Sequence, residues 1–177
     1  AHGRVRPSKG QLGSAACAAI ARESSAALRT LLALGVDPDA SCSDGRSLLA
    51  HAAGLSGSDP AKILLDAGAD PERRTAGDHT PLHLAAHAGR TPVVVLLIAA
   101  GADPDARGPG RVTPLMLAAT QGHGETVAVL LDRGARPGKR DAEGRTAREL
   151  AEVRGQAEIV QILDARARGT DGVLGLF

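Results

Sequence analysis

The chain has 177 residues, 43% of them hydrophobic and 23% charged, which excludes both a disordered polymer and a largely membrane-embedded one. Lys+Arg 21 against Asp+Glu 20 leaves a net charge of +1, so no whole-protein field draws it to nucleic acid or to an anionic membrane. Phe177 stands alone among Phe, Trp and Tyr, against 34 Ala and 22 Leu, a composition suited to thin, closely packed helices and unsuited to a β-sandwich or a base-stacking platform.

Residues 1–8 carry Arg4 and Arg6 without periodicity and read as a flexible N-terminal segment. Ala1–Arg6 has no apolar leader, and a start at Ala is compatible with a leader already removed or a trimmed chain. The longest apolar run, Val93 to Ala102, is about half of what a membrane span requires. The two cysteines make no disulfide framework, and the expected compartment is cytoplasmic.

From residue 9 the chain repeats itself. Gly35-Val36-Asp37-Pro38, Gly68-Ala69-Asp70-Pro71 and Gly101-Ala102-Asp103-Pro104 start 33 residues apart, and Gly134-Ala135-Arg136-Pro137 continues the series. A hydroxyl column (Ser14, Ser47, Thr80, Thr113, Thr146) and a leucine column (Leu31, Leu64, Leu97, Leu130, Leu163) keep the same step. Five units result, at about 9–41, 42–74, 75–107, 108–140 and 141–173. Each reads as a helix, a tight turn, a second helix and an extended excursion. Thr80-Pro81 and Thr113-Pro114 are hydroxyl caps with Pro at the first helical position, and Gly89 and Gly122 close the first helices. Val93, Val94, Leu96, Leu97 and Ala100 space a second, more apolar helix. The second unit departs from the pattern, with Ser47-Leu48 for Thr-Pro and Ser56-Gly57-Ser58-Asp59-Pro60 at its inter-helix turn. One helix pair cannot bury both of its faces, so the units must stack.

These residues resemble the ankyrin repeat. Thr80-Pro81-Leu82-His83-Leu84-Ala85-Ala86 with Gly101-Ala102-Asp103 is the most specific part of the resemblance. It implies an all-α solenoid with extended finger loops, no catalysis, no cofactor or bound metal, and a partner that is a protein. Neither nucleic acid nor membrane is expected as partner, and the chain alone is expected to be a monomer. The resemblance also implies that partners meet the finger tips (35–46, 68–79, 101–112 and 134–145) and the concave face of the first helices. Mapped onto this chain, the candidate contact residues are Arg46, Arg74, His79, His87, Arg107, Arg111, Gln121, Arg140, Arg145 and Arg154.

The formal charge of the fingers grades from acidic in the first to basic in the fourth. One reading is solvated loop charge paired within each finger; the other is a dipolar edge that steers a partner. On the second reading Arg107 and Arg140 reach acidic groups of the partner while Asp39 and Glu72 face basic ones. His79, His83 and His87 are spaced four apart, as metal ligands on one helix face can be. Against a hydrolytic metal enzyme, Leu84 and Ala85 occupy the positions where a Glu is needed, and the His83 column elsewhere is Cys17, Ala50, Met116 and Glu149. The resemblance assigns His83 to hydrogen-bonding a neighbouring finger backbone. A bridge between Cys17 and Cys42 is geometrically feasible across neighbouring units, but two buried or partly buried thiols are the expectation.

The tail Val173-Leu174-Gly175-Leu176-Phe177 either docks on the last unit or is offered to a partner or another copy; residues 174–177 are set apart as an apolar C-terminal tail. The functional expectation is a non-catalytic scaffold that binds a protein. Ala, Gly, Arg and Pro make up 84 residues, as a GC-rich and bacterial genome would encode, and the alternative is an immunity or inhibitor protein for an enzyme. A metal-dependent enzyme built on His79, His83 and His87 is the outside alternative.

Overall fold

The structure is a computed structural model and describes residues 9–171. Both segments set apart in the sequence, residues 1–8 and the tail 174–177, lie outside those residues. Ten α-helices form: α1 Lys9–Ala21, α2 Ser25–Ala33, α3 Leu48–Ala53, α4 Asp59–Asp66, α5 Pro81–His87, α6 Thr91–Ala99, α7 Pro114–Gln121, α8 Gly124–Asp132, α9 Ala147–Val153 and α10 Ala157–Asp171. Odd-numbered helices pack on odd and even on even, so the stack has two layers. Among the described residues the fingers contain no strand, only an isolated antiparallel bridge between Ser41 and Ser47.

The caps follow the hydroxyl column. Ser47, Thr113 and Thr146 accept from the backbone N–H of the residue three ahead, which satisfies a donor that the helix start leaves open. In the first unit the column has a different role. Ser14 lies inside α1, which begins five residues before it, and its hydroxyl donates to the Gly10 carbonyl one turn back.

Alanine makes the layers thin. Ala52, Ala53, Ala85, Ala86, Ala118, Ala119 and Ala151 are wholly buried on the odd helices, where anything larger would hold neighbouring helices apart. Leu64, Leu97, Leu130 and Leu163 fill the even layer, whereas Leu31 is only partly buried. The irregular turn of the second unit also has a physical account. No residue between α3 and α4 is left-handed, and the chain bridges 54–58 in ordinary conformations before Pro60 enters near the start of α4. The regular turns instead use Gly89 (φ 66°) and Gly122 (φ 78°).

All four fingers close in one register. The N–H of Cys42, Thr75, Gly108 and Asp141 donates to the carbonyl four residues on, at 2.7–2.9 Å. The residue before each acceptor is left-handed: Gly45, Asp78, Arg111 and Gly144. Glycine adopts that conformation freely, but Asp78 and Arg111 do so at a cost of roughly 1–2 kcal/mol each.

Candidate functional site

Neighbouring units are tied together on two sides, and the ties decide which side chains stay free. On the finger side Asp39, Glu72 and Asp105 form an acidic column at the repeat step. Their carboxylates accept from the backbone N–H of Asp70, Asp103 and Arg136, each 31 residues ahead, at 2.8–2.9 Å. Asp37, Asp70 and Asp103 bend their own fingers, each accepting from the N–H two residues on at 2.9 Å. Asp39 Oδ1 and Glu72 Oε1 thus join each finger to the next, each lying opposite a backbone donor.

On the turn side the ties come from the residue just ahead of, or at the start of, the second helix. Arg90 Nε donates to the Gly54 carbonyl, and His123 Nε2 lies 3.0 Å from the His87 carbonyl one unit on. The His123 ring therefore sits where a Cβ on Gly89 would fall, 2.6 Å away, so Gly89 is required by packing as well as by its φ.

His83 joins the layers to the fingers. Its Nδ1 accepts from the Thr80 N–H at 3.3 Å, with the Thr80 hydroxyl at 2.8 Å, so Nε2 carries the proton and donates to the Val112 carbonyl at 3.0 Å. Both ring nitrogens are thus committed to the fold. Burial, first of all, holds the His83 pKa down at about 4. His79 is half-buried with its ring edge-to-face against His83 at 5.7 Å, and His87 is exposed. The three histidines are therefore three different things: a backbone clamp, its packing partner and a surface side chain.

The expected free thiols do not occur. Cys17 and Cys42 form a disulfide, with Cα atoms 5.8 Å apart. Stacking brings α1 to the base of the first finger at a distance a disulfide spans without backbone movement. Cys17 stands in the His83 column, so the first unit is tied to the finger base covalently where the third is tied by a histidine hydrogen bond. The missed signal was that shared column.

Nine of the ten candidate contact residues fall into two groups, and the tenth, His79, packs on His83. Several are held. Arg46 pairs with Asp44 at 2.6 Å, and Arg74 donates to the Asp78 and Arg107 carbonyls. Arg140 donates to the Gly144 carbonyl and lies 3.6 Å from Glu149, while Arg145 pairs with Asp141 and Glu143. Asp141 is buried, which by itself would raise its carboxyl; the backbone and side-chain hydrogen bonds of Arg145 outweigh that and hold it below the usual range. Arg46, Arg74 and Arg145 fit the reading of charge paired within fingers, whereas the ion pair of Arg140 is with α9. The side chains of Arg107, Arg111, Gln121, His87 and Arg154 are exposed and make no hydrogen bond or ion pair among the described residues. Arg74, His79 and Arg107 are brought together where the second finger meets the third, with the His79 and His83 rings flanking the Gly108 backbone. Arg154 and Gln121 sit apart, at the far ends of α9 and α7.

No described helix is long and apolar enough to cross a membrane. A family model for ankyrin repeats, in three copies, matches residues 12–108 and 82–171. No curated protein matches the chain in sequence.

Proposed function

The chain belongs to the ankyrin repeat family, and from that premise we propose that it is a non-catalytic scaffold that binds an acidic surface of another protein. Ankyrin repeats generally mediate protein–protein interaction, and the family is typically without catalysis. The repeat domain runs over residues 9–173 as five 33-residue units, at 9–41, 42–74, 75–107, 108–140 and 141–173, and is a monomer until its partner binds. The contact face is the edge of the second, third and fourth fingers with the exposed ends of α5 and α7. Arg107 and Arg111 lead it, with Arg74, His79, Arg140 and Arg145 on the fingers and His87 and Gln121 at the ends of α5 and α7. Arg46 and Arg154 extend the face to the ends of the stack.

One observation carries the reading. Asp39, Glu72 and Asp105 of the finger edge each accept from a backbone N–H of the next finger, whereas Arg107 and Arg111 in the third finger are unpaired. Arg111 moreover holds a left-handed position that glycine fills in the first and fourth fingers. A costly backbone conformation that presents an unpaired guanidinium at a loop tip is what a recognition residue requires.

The test uses a partner recovered by co-purification with the full chain. Replacing Arg107→Glu and Arg111→Glu together is expected to slow association about tenfold and to flatten its salt dependence, since rim charges act mainly through steering. Wild-type association should fall steeply once salt brings the screening length below about 8 Å. Unfolding midpoints should scarcely move, exposed charges being worth about 0–1 kcal/mol. Lys62→Glu, on the exposed side of α4, should leave binding intact. Association that slows with Lys62→Glu but not with the arginine pair would place the partner on the even-helix layer instead.

A further inference from the structure

Around the Cys17–Cys42 bridge, at the base of the first finger, lie Asp44 and His51, of which Asp44 also pairs with Arg46. Ligand atoms of Cys42, Asp44 and His51 lie within 4.8 Å of one another. Cys17 Sγ is joined to Cys42 Sγ, so it belongs to the same spot. His51, on α3, points Nδ1 into it: that nitrogen is buried, has no hydrogen-bond partner and lies 3.9 Å from Asp44 Oδ2. A buried ring nitrogen left without a partner loses the hydrogen bonds that water would give it, and so calls for a ligand. Two sulfurs, an imidazole and a carboxylate match the four-coordinate donor chemistry of zinc.

We propose that reduction of the Cys17–Cys42 disulfide opens a site for one zinc-class divalent ion, held by Cys17, Cys42, His51 and Asp44. In the bridged chain the sulfurs are not thiolates and the site is closed. A dithiol reductant supplies two electrons and two protons, the S–S bond breaks to two thiols, and the reductant leaves as its own disulfide. Metal binding then releases the two thiol protons as both sulfurs coordinate as thiolates. Metal–ligand bonds of about 2.0–2.3 Å in a tetrahedron set ligand atoms roughly 3.3–3.8 Å apart, so Cys42, Asp44 and His51, now within 4.8 Å of one another, draw together slightly while the two sulfurs part. Arg46 competes for the fourth ligand, since its Nε and Nη2 lie 2.7 and 2.6 Å from Asp44 Oδ2. The metal must displace that pair, so Arg46→Gln should tighten binding. The site lies at the base of the first finger, away from Arg107 and Arg111, and stands whether or not the finger edge binds a partner.

The test is a cobalt titration of the full chain, reduced with a phosphine and desalted without oxygen, beside the oxidised chain. The reduced chain is expected to take up one equivalent, with thiolate-to-cobalt charge-transfer bands and tetrahedral ligand-field bands that zinc then abolishes. The oxidised chain should show neither. His51→Gln should weaken binding about tenfold or more, because loss even of an outer-shell partner costs that much. Asp44→Asn should weaken it in the same direction, and His79→Gln, a histidine outside the site, should not. Far-ultraviolet helicity identifies any variant that has not folded, and the comparison of reduced with oxidised wild type needs no variant at all. Absence of charge-transfer bands in the reduced chain, or cobalt held equally by wild type and a folded His51→Gln, would overturn the proposal.

Discussion

Leu97→Ala is expected to destabilise the stack by about 2–5 kcal/mol, measured as a lowered urea midpoint. Leu97 is wholly buried on α6, between α4 and α8 of the even layer, and truncation leaves a cavity that both neighbours line. Contacts in a stack of this kind run between nearest neighbours, so the loss should appear first as faster amide exchange in α4, α6 and α8, with α1 and α10 least affected. An unchanged midpoint would mean that the helix faces have been assigned wrongly.

A second large effect comes from acid. His83 is held neutral at a pKa of about 4, against 6.5 for the free side chain, because it is buried and both ring nitrogens are committed. The unfolded chain takes up a proton below about pH 6.5 and the folded one does not, so stability is full above that value and falls as pH drops toward 4. From pH 7 to pH 5 the loss should be about 2 kcal/mol, approaching roughly 3 kcal/mol near pH 4. His51, which burial lowers in the same direction, adds to the trend. The carboxylates of Asp44, Glu149 and Asp164, held low first of all by hydrogen bonds from Arg46, Thr146 and Arg148, have the same sign at lower pH. In His83→Gln the amide can still bond the Thr80 and Val112 backbone but does not titrate. Its midpoint should start lower at pH 7 and change much less between pH 7 and 5. An equal acid loss in wild type and His83→Gln would remove His83 from the account.

Much of the fold was legible because its physics is local and recurs. Thr113 caps, Gly122 turns left-handed and Leu130 is buried for reasons written within a few residues of each, and the 33-residue step repeats them. Contacts between units were harder to read, since a side chain and its acceptor lie about 30 residues apart with no motif linking them. The acidic column Asp39, Glu72 and Asp105 was visible at the repeat step, yet nothing local distinguishes a carboxylate that bonds the next finger from one that faces solvent. Its role emerged only when the fingers were stacked. The Cys17–Cys42 bridge was hidden in the same way: the partners differ in sequence by 25 residues, and only the placement of α1 against the first finger makes them neighbours. Asp78 and Arg111 carried a weaker signal, as charged residues in a column otherwise filled by Gly45 and Gly144.

The central claim is that a protein partner occupies the finger edge and the adjoining ends of the odd helices. Amide hydrogen exchange of the chain, free and in complex with a co-purified partner, measures this directly. Protection is expected at 68–79, 101–112 and 134–145 and at the C-terminal ends of α5 and α7, strongest around Arg107–Arg111. Protection confined to the exposed faces of α4, α6 and α8, with the fingers exchanging as in the free chain, would contradict it.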